Sequence, residues 1–136
     1  MDDTLFNKIT PFIQLARYDK PVGFMLLFWP CMWSLLLYSL YIEQLAPISF
    51  FILFFIGSII MRGAGCTWND FLDKEYDKNV IRTKDRPLAS NKIKTINAKV
   101  FLLVQLIIGI LIIVSSGIYI FMREKAQDQS IVTEKP

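Results

Sequence analysis

The sequence contains no histidine, and its only two cysteines, Cys31 and Cys66, do not form a CxxC pair. Zinc sites and Cys/His nucleophiles need such residues in close spacing, so both kinds of site are excluded. A glycine-rich GK[ST] stretch is also missing, which excludes a P-loop. The two cysteines are interpreted as small buried hydrophobes. What remains for binding chemistry is a set of carboxylate, amide and basic side chains.

Charge is missing from three long stretches of this 136-residue chain: Val22 to Ile42, Gln44 to Met61 and Val100 to Met122. Each stretch is about as long as the roughly 17–25 residues that cross a bilayer as a helix. Three lipid-exposed helices bury little surface against each other, so a large soluble core is not expected. We therefore predict an all-α, polytopic membrane protein with three spans, at about 22–42, 45–68 and 100–122.

The regions outside the spans differ in composition. Residues 1–20 are predicted to form an interfacial N-terminal segment, in which Pro11 bends or interrupts a short helix. Residues 21–122 form the predicted membrane domain, and residues 123–136 a polar, disordered tail. The acidic start of the chain argues against a cleaved signal peptide and against a transit peptide.

Lysine and arginine concentrate before the first span and between the second and third spans. By the positive-inside rule, the N-terminus and the loop at 69–99 should face the cytoplasm. Arg123, Lys125 and Lys135 then fall on the outer side, which conflicts mildly with that rule. The net charge of +3 comes from loops beside the membrane. Anionic headgroups or a phosphorylated substrate are therefore expected as partners, and nucleic acid is not.

An aspartate-rich stretch follows the second span, with the pattern Asn69-Asp70-x-x-Asp73-x-x-x-Asp77. If this stretch is helical, its spacings place the three carboxylates on one face. Like charges at these spacings cost a helix roughly 0.2–0.5 kcal/mol per pair, so a cation is expected to offset them. Oxygen donors without histidine or cysteine suit a hard ion such as Mg²⁺. An EF-hand is excluded, because its ligands alternate along the loop around a glycine at the sixth position.

Three basic residues come soon after the aspartates: Arg82, Lys84 and Arg86. They could hold a metal-bound diphosphate from the opposite side. Arg62, at the end of the second span, could pair with the aspartates or with a phosphate. Two plainer interpretations stay open, namely a solvated basic loop and an acidic face paired with Lys74 and Lys78. Asn69 beside the carboxylates, together with the downstream arginines, favours the metal-diphosphate site.

These residues resemble a known family. The aspartate pattern followed by Arg82-Thr83-x-x-Arg86-Pro87-Leu88 is similar to the first aspartate-rich motif of the UbiA superfamily of intramembrane aromatic prenyltransferases. The flanking segments resemble its 4-hydroxybenzoate polyprenyltransferases: Gly63-Ala64-Gly65-Cys66-Thr67, Pro87-Leu88-Ala89-Ser90, and Arg17-x-Asp19-Lys20-Pro21-Val22-Gly23 with Trp29-Pro30. The resemblance covers roughly residues 10 to 110.

The resemblance implies roles for individual residues. Mg²⁺ would be held by Asn69, Asp70, Asp73 and Asp77 and would bind the diphosphate of a polyprenyl diphosphate. The residues implied to be catalytic are Asp70, Asp73, Asp77, Arg82 and Arg86, the two arginines neutralising the departing diphosphate. Those implied to bind substrate are Asn69, Lys84, Arg17 and Lys20, with Lys74 in a weaker role. Arg17 and Lys20 would face the carboxylate of 4-hydroxybenzoate.

The implied reaction needs no nucleophilic side chain. The allylic cation would be attacked by a ring carbon of 4-hydroxybenzoate ortho to the phenol, and the ring would then lose a proton. The isoprenoid tail would run between membrane helices along Phe24, Phe28 and Trp29. The implied location is the bacterial inner membrane, with the aspartate-rich loop on the cytoplasmic side.

The superfamily has about nine membrane helices and a second aspartate-rich motif, and this sequence supplies neither. The resemblance therefore implies a partial UbiA-type helical bundle, with little or no transferase activity alone and a separate C-terminal half as a partner. Two alternatives stay open. One is a noncatalytic membrane protein that binds a divalent ion or an anionic lipid through the same loop, and the other is a degenerate product without function.

Overall fold

The regular elements of the chain are helices throughout the described residues. A computed structural model describes the backbone of residues 3–133 and the side chains of residues 6–123, 125 and 126. The helices are α1 (Asp3–Leu15), α2 (Val22–Tyr41), α3 (Ile48–Leu72), α4 (Lys74–Asp77) and α5 (Thr95–Thr133). The predicted all-α class is confirmed.

Three of these helices are long and apolar enough to cross a membrane: Val22–Tyr41, Ile48–Leu72 and the Thr95–Arg123 part of α5. The three predicted spans are confirmed, although the second and third begin or end several residues away from the predicted limits. Helix α3 packs against α2 on one side and α5 on the other. Large apolar side chains on all three helices remain exposed, as expected for helices surrounded by lipid. The chain is an integral membrane protein.

Helix α5 continues well beyond the membrane. Its 39 residues span about 58 Å at 1.5 Å per residue, against a hydrocarbon thickness of about 30 Å. The predicted disorder of the tail is therefore wrong for residues 123–133, while residues 134–136 lie outside the described residues. A helix that is already formed extends without a new nucleation step. Glu124, Lys125, Ala126 and Gln127 are good helix formers, and neither glycine nor proline occurs between Arg123 and Thr133.

Helix α1 and the loop between α4 and α5 pack together. A buried cluster joins Leu15 at the end of α1 to Leu88, Ile93 and Ala98, with Phe12, Phe71 and Phe101 packed against it. Burying a leucine contributes roughly 1.5–3 kcal/mol, which helps to explain why α1 is not interrupted at Pro11. The loop is therefore folded onto the helices, and the interpretation of a wholly solvated basic loop is wrong.

The aspartate-rich stretch is not one continuous helix. Helix α3 ends at Leu72, and Asp73 joins it to the single turn α4 with φ −85° and ψ 1°. Asp70 and Asp77 are buried, whereas Asn69 and Asp73 are exposed. Of the three carboxylates predicted to share one face, Asp70 and Asp77 are buried and pair with arginines, whereas Asp73 is exposed at the one-residue interruption.

Candidate functional site

The turn after α1 places Arg17 beside the end of α3. The N–H groups of Arg17 and Tyr18 donate to the carbonyl oxygens of Gln14 and Ile13 at 3.2 and 3.0 Å, and Arg17 has φ 55°. This left-handed conformation costs a residue other than glycine roughly 1–2 kcal/mol. The strained backbone places the Arg17 side chain against Asp70, which is 53 residues away in the sequence.

Two arginines and two aspartates form one network. Arg17 Nη2 donates to Asp70 Oδ1 at 3.0 Å, and Arg86 Nη1 donates to the same oxygen at 3.2 Å. Arg86 Nη1 also donates to Asp77 Oδ2 at 2.8 Å. Asp70 is 2% exposed, so a carboxylate there needs charged partners. With two charges of each sign, the network offsets the repulsion between the carboxylates.

The lysines near the motif have other partners. Lys74 Nζ donates to Thr95 Oγ1 at 3.0 Å, at the start of α5. Lys78 Nζ bonds to both carboxylate oxygens of Glu75 at 2.8 Å, and this hydrogen bond lowers the pKa of Glu75. The alternative in which the aspartates pair with Lys74 and Lys78 is wrong.

A cavity of about 870 Å³ opens beside this network. The end of α1, the start of α2, the end of α3 and the loop all contribute to it, so the N-terminal segment and the loop lie at the same end of the bundle. Six basic side chains line the cavity: Arg17, Lys20, Arg62, Arg82, Arg86 and Lys92. Three carboxylates do so: Asp19, Asp70 and Asp85. The cavity therefore favours an anionic ligand.

The structure brings some of the predicted site residues into this cavity and leaves others outside. Arg17, Lys20, Asp70, Arg82 and Arg86 line it. The lining does not include Asn69, Asp73, Asp77 or Lys84, although Asp77 is joined to the cavity through Arg86.

Comparison with known proteins decides the family. The sequence model of the UbiA prenyltransferase family matches residues 27–122, which is more than half of the chain. The chain belongs to the UbiA prenyltransferase family. The resemblance expected from the aspartate motif and its flanks is confirmed.

Named relatives of this UbiA-family chain include eukaryotic and bacterial proteins. A mitochondrial 4-hydroxybenzoate polyprenyltransferase of Drosophila pseudoobscura pseudoobscura is 46% identical over 82% of the chain. The corresponding protein of Saccharomyces cerevisiae is 43% identical over 76% of it. A 4-hydroxybenzoate octaprenyltransferase of Psychrobacter arcticus is 38% identical over 88% of it. The chain spans 28% of the fly and yeast proteins and 40% of the bacterial one. No solved structure matches significantly.

Two further basic residues line the UbiA-family cavity, Arg62 and Lys92. Arg62 had a signal in the sequence: a guanidinium at the end of a span commonly reaches the headgroups, but shortly before the aspartates it can also pair with them or with a phosphate. Lys92 had none, since it is one basic residue among several in the loop. Only the packing of the loop reveals that it turns toward the other cations.

In the part of the chain that the structure describes, no group of three acidic or cysteine side chains is arranged so that it could hold a metal ion by itself. The donor chemistry of the aspartates nevertheless suits Mg²⁺, which binds through one or two carboxylates plus substrate phosphates. Asp70 lines the cavity and could supply one such carboxylate. Asp77 lies outside the lining but bonds to Arg86, which belongs to it. Asn69 and Asp73 are exposed outside it.

The aromatic side chains implied to line the isoprenoid path, Phe24, Phe28 and Trp29, lie on α2. The rings of Phe24 and Phe28 pack edge-on against Phe55, with centroids 5.7 and 5.4 Å away, and so belong to the contact between α2 and α3. The apolar lining of the cavity comes instead from Val22 and Leu26. Trp29, one turn farther along α2 from Leu26, is 57% exposed.

We expect Gly23→Ala to disturb the cavity through Arg62. An added Cβ at Gly23 would lie 2.5 Å from Arg62 Nε, so the guanidinium would have to move. In Gly117→Ala the new methyl group has no neighbour within 4 Å, which makes it the control. If Arg62 binds an anion, affinity for pyrophosphate measured by calorimetry should fall about threefold in the first variant only. Equal affinities would mean that this displacement of the Arg62 guanidinium does not affect anion binding.

Proposed function

We propose that this chain binds the diphosphate of a polyprenyl diphosphate for transfer of the polyprenyl group to the ring of 4-hydroxybenzoate, a step of ubiquinone biosynthesis. The observation that carries the proposal is a cavity with six basic side chains against three carboxylates at one end of the membrane helices. The names of the relatives support the choice of substrates.

The charges of the cavity suit a diphosphate. Arg17 and Arg86 are paired with Asp70. The other four basic side chains form no ion pair with any carboxylate whose side chain is described: Lys20, Arg62, Arg82 and Lys92. Several such donors around one anion give charge-assisted hydrogen bonds, which are roughly twice as strong as neutral ones. An electrically neutral ligand would gain little from them.

The proposed reaction breaks the bond between the allylic carbon and the diphosphate oxygen. Arg62 and Arg82 bind the diphosphate and neutralise the charge that grows on it as it leaves. A ring carbon of 4-hydroxybenzoate then bonds to the allylic carbon, and the ring loses one proton. Lys20 faces the acceptor's carboxylate in this proposal, because Arg17 is already paired with Asp70.

Mg²⁺ belongs to the same proposal. Asp70 and Asp77 are the residues that would hold it, because they are the two buried carboxylates of the motif. When bound, Mg²⁺ supplies further positive charge to the diphosphate. We also propose that the cavity faces the cytoplasm at a bacterial inner membrane, and that further helices from a separate C-terminal half complete the site.

The proposal predicts binding of a non-hydrolysable analogue, farnesyl thiolodiphosphate, to the purified chain in detergent. Arg82→Ala should weaken its affinity about tenfold, because one charge-assisted contact contributes roughly 1.5 kcal/mol. Lys84→Ala is the matched control: it removes one charge from the same loop, but from a side chain outside the cavity lining. Its dissociation constant should stay within about twofold of the original.

The same titration tests whether Mg²⁺ takes part in binding of the analogue. Mg²⁺ should strengthen binding of the analogue to the original chain, and Asp70→Asn should abolish that enhancement. Equal losses in Arg82→Ala and Lys84→Ala would indicate attraction by the whole basic surface. If vesicles of anionic lipid compete fully with the analogue, a noncatalytic lipid-binding protein becomes the better description.

A further inference from the structure

Three polar side chains are hydrogen-bonded where α3, α5 and the turn after α1 meet: the buried Thr67 and Gln105 and the half-buried Tyr18. Gln105 Nε2 donates to the hydroxyl oxygen of Tyr18 at 2.8 Å. Thr67 Oγ1 lies 2.9 Å from the carbonyl oxygen of Gly63 and 3.4 Å from Gln105 Oε1, and donates a hydrogen bond shared between them. None of these groups lines the cationic cavity, and the proposed reaction does not use them.

The position of Gln105 is unusual for a polar residue. It is 4% exposed and lies within the membrane-spanning part of α5. Polar groups at such depth are unfavourable unless they find partners, and they are commonly functional. Both ends of this amide are bonded, one to α3 and the other to the turn after α1. Gln105 therefore ties the N-terminal segment to two membrane helices.

Gly63 provides the space for this contact. A Cβ atom at Gly63 would collide with the Tyr18 hydroxyl and lie 2.6 Å from Gln105 Nε2. Two residues along the same helix, a Cβ at Gly65 would meet nothing within 4 Å. The Tyr18 ring therefore lies close to the backbone of α3 at Gly63, whereas no neighbouring atom lies close to it at Gly65.

We propose that Gln105 and Tyr18 are positioning residues for Arg17. Tyr18 directly follows Arg17 in the turn, and Arg17 holds the left-handed conformation that residues other than glycine disfavour. Anchoring the Tyr18 ring fixes the turn from one side, and Asp70 fixes the Arg17 guanidinium from the other. Without the first anchor the turn relaxes and the guanidinium leaves Asp70. The link to substrate binding rests on the proposed function, whereas the placement of Arg17 does not.

The test measures how fast phenylglyoxal modifies individual arginines, read out by mass spectrometry. Arg17 and Arg86 form a matched pair, because both bond to Asp70 and their side chains are 30% and 27% exposed. In Tyr18→Phe and Gly63→Ala, modification of Arg17 should be about fivefold faster and that of Arg86 unchanged. Gly65→Ala should alter neither rate. Equal acceleration of both arginines would indicate a general loosening of the fold, and unchanged rates would show no anchoring; either result overturns the proposal.

A second readout separates this proposal from the proposed function. Arg17 lines the cavity and adds to its positive charge, so displacing it by Tyr18→Phe should weaken binding of farnesyl thiolodiphosphate about threefold. In an Arg17→Ala background Tyr18→Phe should have no such effect. An equal loss in both backgrounds would contradict a role through Arg17. If the analogue binds to no variant, the proposed function fails, and the modification rates still decide whether Tyr18 positions Arg17.

Discussion

Arg86→Met should lower the free energy of unfolding by about 3 kcal/mol, one of the two largest effects that we expect. Arg86 bridges Asp70 and Asp77, and it is the only partner that the described residues offer to the Asp77 carboxylate. Removing one member of a buried ion pair leaves the other charge unpaired, which typically costs about 3–5 kcal/mol. We take the lower figure, because the Arg86 side chain is 27% exposed. Denaturant titration in detergent, followed by tryptophan fluorescence, measures the change.

Arg82→Met is the control for this prediction. Arg82 belongs to the same loop and lines the same cavity, but it is exposed and takes part in no ion pair among the described side chains. Its replacement should change the free energy of unfolding by less than about 0.5 kcal/mol. If the two variants are equally stable, the bridge between the aspartates does not hold the loop.

Leu88→Ala should have a similarly large effect, also about 3 kcal/mol. Leu88 is fully buried and packs with Leu15, Ile93 and Ala98. Replacing such a leucine removes buried apolar surface and leaves a cavity, which in other proteins costs about 2.7–5 kcal/mol. Because Leu88 lies two residues after Arg86, loosening it should also weaken analogue binding, by about tenfold. The same titrations in detergent check both effects.

A leucine outside the core gives the comparison. Leu45 lies in the connection between α2 and α3 and is 91% exposed. Leu45→Ala should leave both the stability and the affinity nearly unchanged. A comparable destabilisation by the two substitutions would contradict the idea that the loop is held by its apolar anchor.

The membrane helices could be predicted from the sequence because their signal is local. Long uncharged stretches leave no alternative to membrane helices, whatever lies elsewhere in the chain. Their limits were less accurate. Helix α5 begins at Thr95, where Lys74 bonds to the threonine hydroxyl, and this contact depends on a residue 21 positions earlier. The fold of the loop was not predictable either, because Leu88 is buried in a cluster that includes Leu15, 73 positions earlier in the chain.

For the site, too, local sequence patterns could be predicted and contacts between distant residues could not. The residue types and their order predicted that Asp70, Arg82 and Arg86 would share a site, and the cavity brings these three together. The prediction from residue spacing assumed one continuous helix through Asp73, but α3 ends at Leu72 and α4 begins at Lys74. Pairing of Arg17 with Asp70 joins residues 53 positions apart, and no local pattern reports such a contact. Long-range ion pairs decided which carboxylates are buried.

The balance of charge between Arg17, Arg86, Asp70 and Asp77 bears on the order of events during biogenesis. A pocket that needed its metal to neutralise buried carboxylates could be completed only after that metal arrived. Here the chain carries its own counter-charges, each within 3.2 Å of a carboxylate oxygen. Insertion into the bilayer and closure of the loop onto the helices can therefore finish before any ligand is present.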